Sequence, residues 1–420
     1  MDVISLLLFL ALLILAFTRK TNMGVLAFGA ALILGRIVGL TDKEVVKTLS
    51  SSLFVTLTGI TLLFAAVNHT GALELVSNKL VSLIGKRIWL LPIVSYLVGF
   101  ILASIGPGAI PPTTLVVTLT VSIAVSAGYN PLMMGIIGGL GLMGGRVCAW
   151  TPEGTLVSTL AAEQGLTAGV IVPVFAFQLI TTAIAAVAIF FVFKGHKVKI
   201  GEKNLEVEKK KATPKQLIAL AAIVVLLVMV VIFRFDVGLT SFIIAAILFV
   251  FNVVDDRSAL KAVPWGTIVM ILGVGTLMSV IQKAGGIDLL CNLLSGVMSS
   301  FTVAPFTGLT AGIMSLVSSG LGVVYPTLIP MASDLVASVG GGQPVAVIAA
   351  IVAGGSLAGF SPMSTCGALT LSAMGSFKPD MTKEEQNKSF IQLFVIALCL
   401  ILWVGISAAI FGNLCVSLFG

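Results

Sequence analysis

The sequence predicts an all-α polytopic membrane protein of two inverted repeats, each with five transmembrane helices and one re-entrant helical hairpin, with broken helices at the bilayer midplane. Three observations predict it. Of 420 residues, 58% are hydrophobic and only 10% charged, with a mean hydropathy of +1.16, which a soluble core does not account for. A single offset of 214 residues lays the second half of the chain on the first. Matched glycines and prolines break apolar runs in both halves, at Ser104-Ile-Gly-Pro-Gly-Ala-Ile-Pro-Pro-Thr113 and Ser318-Ser-Gly-Leu-Gly-Val-Val-Tyr-Pro-Thr327. Glycine turns the backbone tightly and proline removes an N–H donor, so each run interrupts a helix and exposes main-chain dipoles. Within hydrocarbon such backbone survives only where protein buries it or where it lines a cavity.

The first repeat runs over 1–193. A spanning helix needs roughly 17 to 25 apolar residues, somewhat fewer with snorkelling flanks. Spans are expected near 3–18, 23–39 and 52–68. The first, Val3 to Phe17, lacks a basic leader and a small-residue cleavage site, so it is kept as a span and not as a signal peptide. Between Gly71 and Arg87, Leu73, Leu75, Val76, Leu80, Leu83 and Ile84 alternate with Glu74, Asn78, Lys79, Lys86 and Arg87 at helical spacing, the pattern of an amphipathic arm on the interface. A hairpin at about 88–126 turns at Gly106-Pro107-Gly108, a helix at about 130–162 is interrupted over Gly144–Gly154, and a long span covers about 168–193.

A basic linker at 194–215, with Lys209 to Lys211 at its centre, connects the halves. In the second repeat, 216–420, the order returns: spans near 216–233, 238–253 and 264–282, an arm at 285–300, a hairpin at about 302–339, a broken helix at about 344–373 and a last span at about 390–411. The offset from Gly71 to Gly285 also pairs Leu75 with Leu289, Asn78 with Asn292, Leu102 with Leu316, Ser104 with Ser318, Gly106 with Gly320 and Gly108 with Gly322. It continues through Pro112 and Pro326, Thr113 and Thr327, Gly141 and Gly355, Gly145 and Gly359, and Thr151 and Thr365. One ungapped register carrying the glycines, prolines and threonines of every break identifies a duplication.

Five crossings per half make the second repeat upside down relative to the first. Charge tests this separately. With the N-terminus outside, eighteen Lys and Arg fall on the cytoplasmic side, including eight linker lysines, and five outside (Arg36, Lys43, Lys47, Arg234 and Lys283), with Arg146 inside the membrane. That asymmetry fixes an orientation with the linker in the cytoplasm, the first hairpin entering from the cytoplasm and the second from outside. It also accounts for the net charge of +7, which therefore gives no reason to expect a nucleic-acid partner. The five cysteines (Cys148, Cys291, Cys366, Cys399 and Cys415) form no C-x-x-C pair, and the two histidines, His69 and His196, fall in or near loops. A transition-metal site, a disulfide framework and a histidine centre are thereby disfavoured.

Inverted repeats with broken helices at the midplane characterise secondary transporters. Half-helix N-termini offer unpaired N–H groups and partial positive charge suited to carboxylates, and half-helix C-termini offer carbonyls suited to sodium. Hydroxyls collect at the breaks: Ser104, Thr113, Thr151, Ser318, Ser319, Ser361, Ser364 and Thr365. Each either caps freed backbone or binds a ligand. Arg146 is the most informative residue, because a cation near the bilayer centre costs about 2.5 to 3.5 kcal/mol on insertion scales and needs a partner or water. Glu153 lies seven residues on. Three readings stay open: Arg146 pairs with Glu153 structurally, Arg146 forks onto a substrate carboxylate while Glu153 takes up a proton or cation, or Arg146 faces an aqueous vestibule. Trp150, Tyr325 and Phe360 read as packing, Asp334 as a cap or a group in outside water, and Asn68, His69 and Thr70 as a span terminus.

Gly139-Leu-Gly-Leu-Met-Gly-Gly and Thr151-Pro after the first hairpin, with Gly285-Gly-Ile-Asp-Leu-Leu, the second hairpin run and Ser361-Pro-Met-Ser-Thr-Cys-Gly-Ala-Leu, resemble the malonate-carrier-type dicarboxylate carriers of the ion transporter superfamily, related to the divalent-anion/sodium symporters. The resemblance covers nearly the whole chain and is most specific in the second half. It implies a homodimer whose scaffold domain holds still while a transport domain of hairpins and broken helices moves as an elevator. In the divalent-anion symporters each hairpin tip carries Ser-Asn-Thr for carboxylate and sodium. Here those places read Ile105-Gly-Pro and Ser319-Gly-Leu, so backbone amides and Arg146 stand in for the asparagines.

The residues and the resemblance together assign substrate contacts to Ser104, Gly106, Pro107, Gly108, Arg146, Thr151, Ser318, Ser319, Gly320, Ser364 and Thr365. They assign a cation to Ile105, Gly108, Gly145, Glu153, Ser319, Gly322, Gly359 and Ser361. The expectation is a carrier for malonate or a C4 dicarboxylate in a bacterial cytoplasmic membrane, coupled to sodium with the proton as alternative, with no other cofactor. Rival readings are the large membrane subunit of a tripartite transporter, which needs a periplasmic binding protein, and a cation/proton antiporter, another anion carrier of the superfamily or an ion channel. An enzyme is the least supported, since no nucleophile with a base or metal cluster is evident.

Overall fold

A computed structural model describes all residues except 1, 20, 83–87, 107, 168, 199–211, 288, 290, 292–295, 297, 379 and 380. Among the described residues the chain is helical, with no strand. The first half comprises α1 (Asp2–Arg19), α2 (Met23–Ile37), α3 (Asp42–Lys47), α4 (Ser51–His69), α5 (Ala72–Ser82), α6 (Leu91–Ser104), α7 (Ile110–Ala127), α8 (Pro131–Gly145), α9 (Pro152–Ala162) and α10 (Ile171–Val192). The second comprises α11 (Pro214–Val231), α12 (Val237–Val250), α13 (Asp256–Ala262), α14 (Trp265–Lys283), α15 (Val303–Val317), α16 (Gly320–Ser338), α17 (Pro344–Leu357), α18 (Thr365–Phe377) and α19 (Lys383–Phe419). Six described helical runs are long and apolar enough to cross a membrane: α4, α10, α14, α16, α17 with α18, and α19.

Local chemistry sets the boundaries. Asn22, Asn130 and Asp236 accept amides of the first turns of α2, α8 and α12 at 2.9, 3.1 and 2.8 Å. The first hairpin closes on Gly128, whose φ of 78° gives the left-handed cap a helix end prefers. The final helix starts at Lys383, earlier than the expected 390, because Thr382 and Glu385 form a reciprocal capping box. It continues past 411 to Phe419 through a π-helical turn at Ala408–Gly412. Two short helices, α3 and α13, were not foreseen. They begin 214 residues apart and are capped by Thr41 and Asp255, themselves 214 apart. Within the predicted arm at 71–87, Ala72–Ser82 form α5, while 83–87, most of the linker and much of the second arm lie outside the described residues.

The halves meet through reciprocal glycine contacts. A Cβ on Gly24 would strike Val269 and Met270 backbone, and one on Gly238 would strike Val55 and Thr56. Likewise Gly59 abuts the Gly238 carbonyl and Gly273 the Gly24 carbonyl. The 214-residue offset converts each contact into its partner, the relation that two-fold-related surfaces make. Thus α2 crosses α14 and α4 crosses α12 at backbone distance. Each hairpin arm likewise lies on a broken helix: Gly141 abuts the Tyr96 carbonyl between α6 and α8, and Gly354 the Gly308 carbonyl between α15 and α17. Small residues permit this approach in place of bulky apolar side chains.

Candidate functional site

Both breaks, the second hairpin tip and the helix leading out of the first tip converge on a cavity of about 450 Å³. Its wall takes Ala109, Ile110 and Thr113 from the first turn of α7, Met143 and Arg146 from the end of α8, and Ser318, Ser319 and Gly320 from the second tip. Gly359, Ser364 and Thr365 come from the break between α17 and α18, and Thr267 from α14.

The first break is organised around Glu153. Thr151 caps α9, accepting the Gly154 amide at 3.1 Å and donating its hydroxyl to the Arg146 carbonyl at 2.6 Å. This puts Glu153 in the first turn of α9, where the helix dipole favours an anion. Its Oε1 accepts Arg146 Nη2 at 3.2 Å and the Ala109 amide, at the start of α7, at 3.3 Å. The two side chains are 1% and 9% exposed, so the pair lies out of water. Two buried polar atoms of the pair, Glu153 Oε2 and Arg146 Nε, have no hydrogen-bond partner. Arg146 Nη1 has only the Met143 sulfur, at 3.1 Å, a weak acceptor. Arg146 thus reaches the cavity wall with unsatisfied donors.

Gly108 needs to be glycine twice over: its φ is 69°, and a Cβ there would overlap the Glu153 carboxylate. Gly106, with φ 145°, presses on Phe64 of α4. Ser104 ties the tip to the break, donating to the Gly145 carbonyl at 3.3 Å while its own carbonyl accepts Trp150 Nε1 at 2.6 Å. Ile105 ends α6 with its amide on Ile101, and Pro107 lies outside the described residues.

The second tip is built differently. Ser319 caps a π-helical turn at Gly320–Val324 by accepting the Gly322 amide at 3.0 Å, and neither Gly320 nor Gly322 has positive φ. Gly322 lies against Met270 of α14 and Gly320 against the Gly355 carbonyl. Ser318 donates back to Met314 at 2.6 Å. At the second break Ser361 accepts the Met363 amide at 3.4 Å, and Ser364, at the N-cap of α18, donates to Ala358 and makes no side-chain cap bond. The first-turn N–H groups of α18 are therefore uncapped by side chain where Ser364 and Thr365 line the cavity.

Of the expected substrate residues, Arg146, Ser318, Ser319, Gly320, Ser364 and Thr365 line the cavity, while Ser104, Gly106, Gly108 and Thr151 stand behind it as the framework of the first tip and break. Of the expected cation residues, Ser319 and Gly359 line the cavity. Glu153 lines a small adjoining chamber of about 20 Å³ with Thr61, Ile268 and Leu321. Ile105, Gly108, Gly145, Gly322 and Ser361 line neither of these two spaces. Sequence reasoning missed Thr267, Met143, Ser315 and Ser356. Ser315 and Ser356 sit within a turn of marked breaks, a proximity that could have found them; Thr267 belongs to an unbroken helix and carries no such signal. Trp150 and Tyr325 pack, Tyr325 donating to the Val352 carbonyl at 3.0 Å from a fully buried ring.

A model of the CitMHS citrate transporter family matches residues 12–355. No curated protein matches the chain. Among solved structures, the YdaH transporter of Alcanivorax borkumensis, described as having an unusual topology, superposes with a TM-score of 0.59 over 98% of either chain, at 14% sequence identity. That likeness is one of fold.

Proposed function

The chain belongs to the citrate transporter family, CitMHS, and is a transporter and not an enzyme; from that premise we propose that it carries small molecules bearing two or more carboxylates across the cytoplasmic membrane, driven by a coupled cation. The observation that carries this reading is one cavity into which Arg146 and the uncapped N-terminus of α18 both point cationic character. A dicarboxylate spans them, one carboxylate on the Arg146 fork and the other on the α18 amides. Malonate and C4 acids follow from the motif resemblance, and citrate from the family. Sodium is the coupling ion, with Glu153, whose Oε2 has no partner, as its carboxylate ligand and the proton as the competing choice.

The movement we infer is an elevator of inverted repeats, with α1–α4 and α11–α14 as the fixed body of a homodimer. The supporting observation is an asymmetry. Gly106 rests on Phe64 of α4, and Gly322 on Met270 of α14. Exchanging the repeats by the offset of 214 replaces these contacts with Gly320 on Met278 and Gly108 on Thr56. Met270 and Met278 lie eight residues apart, a displacement of about 12 Å along α14 at the helical rise. With the start of α14 at the cytoplasmic face, the described state is the inward one.

A thermal-shift screen of purified protein against mono-, di- and tricarboxylates, with and without sodium, tests the substrate class. Stabilisation by di- or tricarboxylates that disappears in Arg146→Gln is expected. Stabilisation by none, or equally by monocarboxylates, contradicts the reading.

A further inference from the structure

Between α6, α8 and α10 the outer surface holds an apolar groove of about 440 Å³, walled by Pro92, Ile93 and Leu97 on one side and Val187, Phe190 and Phe191 on the other. Its one hydroxyl, on Tyr96, is turned to Thr182 Oγ1 at 2.9 Å. The duplicated position in the second half is closed. There Val404 of α19 abuts Gly308 of α15, Ile401 abuts Gly312 and Leu309 abuts Gly405. The 214-residue offset places Val94, Val98 and Phe191 where those three glycines stand, so the first half lacks the glycines on which the second half closes. The gap is specific to the first half.

One end of the groove is cationic. Phe191 leads directly into the exposed turn Lys194, His196 and Lys197, the Lys194 amide bonding the Phe191 carbonyl at 2.9 Å and the His196 ring lying 5.6 Å from that of Phe191. Trp89, 59% exposed, forms the opposite lip. No Asp or Glu occurs in the sequence between 75 and 152 or between 164 and 201, the segments that frame this end. An apolar slot open to the side of a membrane-spanning body, with a tryptophan and lysines where it meets the aqueous face, is complementary to a lipid with a negative headgroup.

We propose that this groove is a binding site for one anionic phospholipid, its acyl chain between α6 and α10 and its phosphate on the Lys194–Lys197 turn. Native mass spectrometry of the full chain, released from vesicles of equimolar phosphatidylglycerol and phosphatidylcholine, tests this. Wild type is expected to retain phosphatidylglycerol preferentially, and Lys194→Gln with Lys197→Gln, both surface changes, to lower retention roughly five-fold per lysine. Ala183→Phe, which fills the groove, is expected to abolish retention whatever the headgroup; the lysine variant decides the matter if Ala183→Phe does not fold. Equal retention of both lipids, unchanged retention in the lysine variant, or a second copy of this chain found over the groove in place of lipid would overturn the assignment. None of these outcomes touches the carboxylate reading above.

Discussion

Glu153 holds Arg146 at 3.2 Å through Oε1 while Oε2 of the same carboxylate stays unpartnered, both side chains being buried. A buried pair so incompletely bonded stabilises little by its own attraction, but removing one member leaves the other charge uncompensated. Arg146→Gln is therefore expected to destabilise the protein by about 3 to 5 kcal/mol. Arg146→Gln with Glu153→Gln should recover most of that stability and still bind no carboxylate. Chemical unfolding beside ligand-induced thermal shifts separates the two effects.

Arg146→Lys keeps the charge and loses the planar fork. Carboxylate binding should weaken by roughly ten-fold or more while the chain folds, since a point charge cannot replace bidentate bonding. Retention of wild-type affinity would show that Arg146 acts by charge alone.

Glu153→Gln keeps the Ala109 amide contact but leaves the buried Arg146 charge uncompensated, so without substrate it too is expected to lower stability by about 3 to 5 kcal/mol, which a bound carboxylate on Arg146 offsets. Exchange of labelled substrate across proteoliposomes should persist, whereas accumulation driven by a cation gradient should fail. Full gradient-driven accumulation in this variant would remove Glu153 from the coupling site.

Gly108→Ala should be severe and Gly128→Ala mild. Both positions have positive φ, 69° and 78°, costing about 1 kcal/mol for an alanine. Only at Gly108 does the new methyl also overlap a buried carboxylate, that of Glu153, whereas nothing lies within 4 Å at Gly128. Expression and melting temperature of the two variants give the comparison.

Cross-linking tests the proposed elevator travel. Leu321 shares the small chamber with Ile268 in the described state, so Leu321→Cys with Ile268→Cys should bridge readily. Leu321→Cys with Met278→Cys should bridge only after the transport domain slides, because ten residues of α14 separate the two partners by about 15 Å. Failure of the second pair under all substrate and ion conditions would exclude sliding.

The breaks were legible because glycine and proline change backbone physics at fixed positions, and the run after Gly106 and the tip at Gly320, one offset apart, border the same cavity through Ala109 and Gly320. The helices α3 and α13 were not legible, since six or seven residues of mixed polarity carry no apolar run and show themselves only as caps at Thr41 and Asp255. Two Gly-x-Gly tips look alike in sequence yet fold differently. Gly106 and Gly108 use positive φ, while Ser319 caps a π-helical turn, a choice set by what each tip meets, Glu153 in one case and Met270 in the other. Thr267 reached the cavity only through tertiary packing of α14.

The central claim, that the duplicated halves lie antiparallel in the membrane, is tested most directly by labelling the far ends of the two hairpins. Ser126→Cys and Gln343→Cys, both at exposed positions, are treated in intact cells and in inverted vesicles with a membrane-impermeant thiol reagent. Labelling of Ser126→Cys only from the cytoplasmic face and of Gln343→Cys only from outside is predicted; labelling of both from one face would contradict the account.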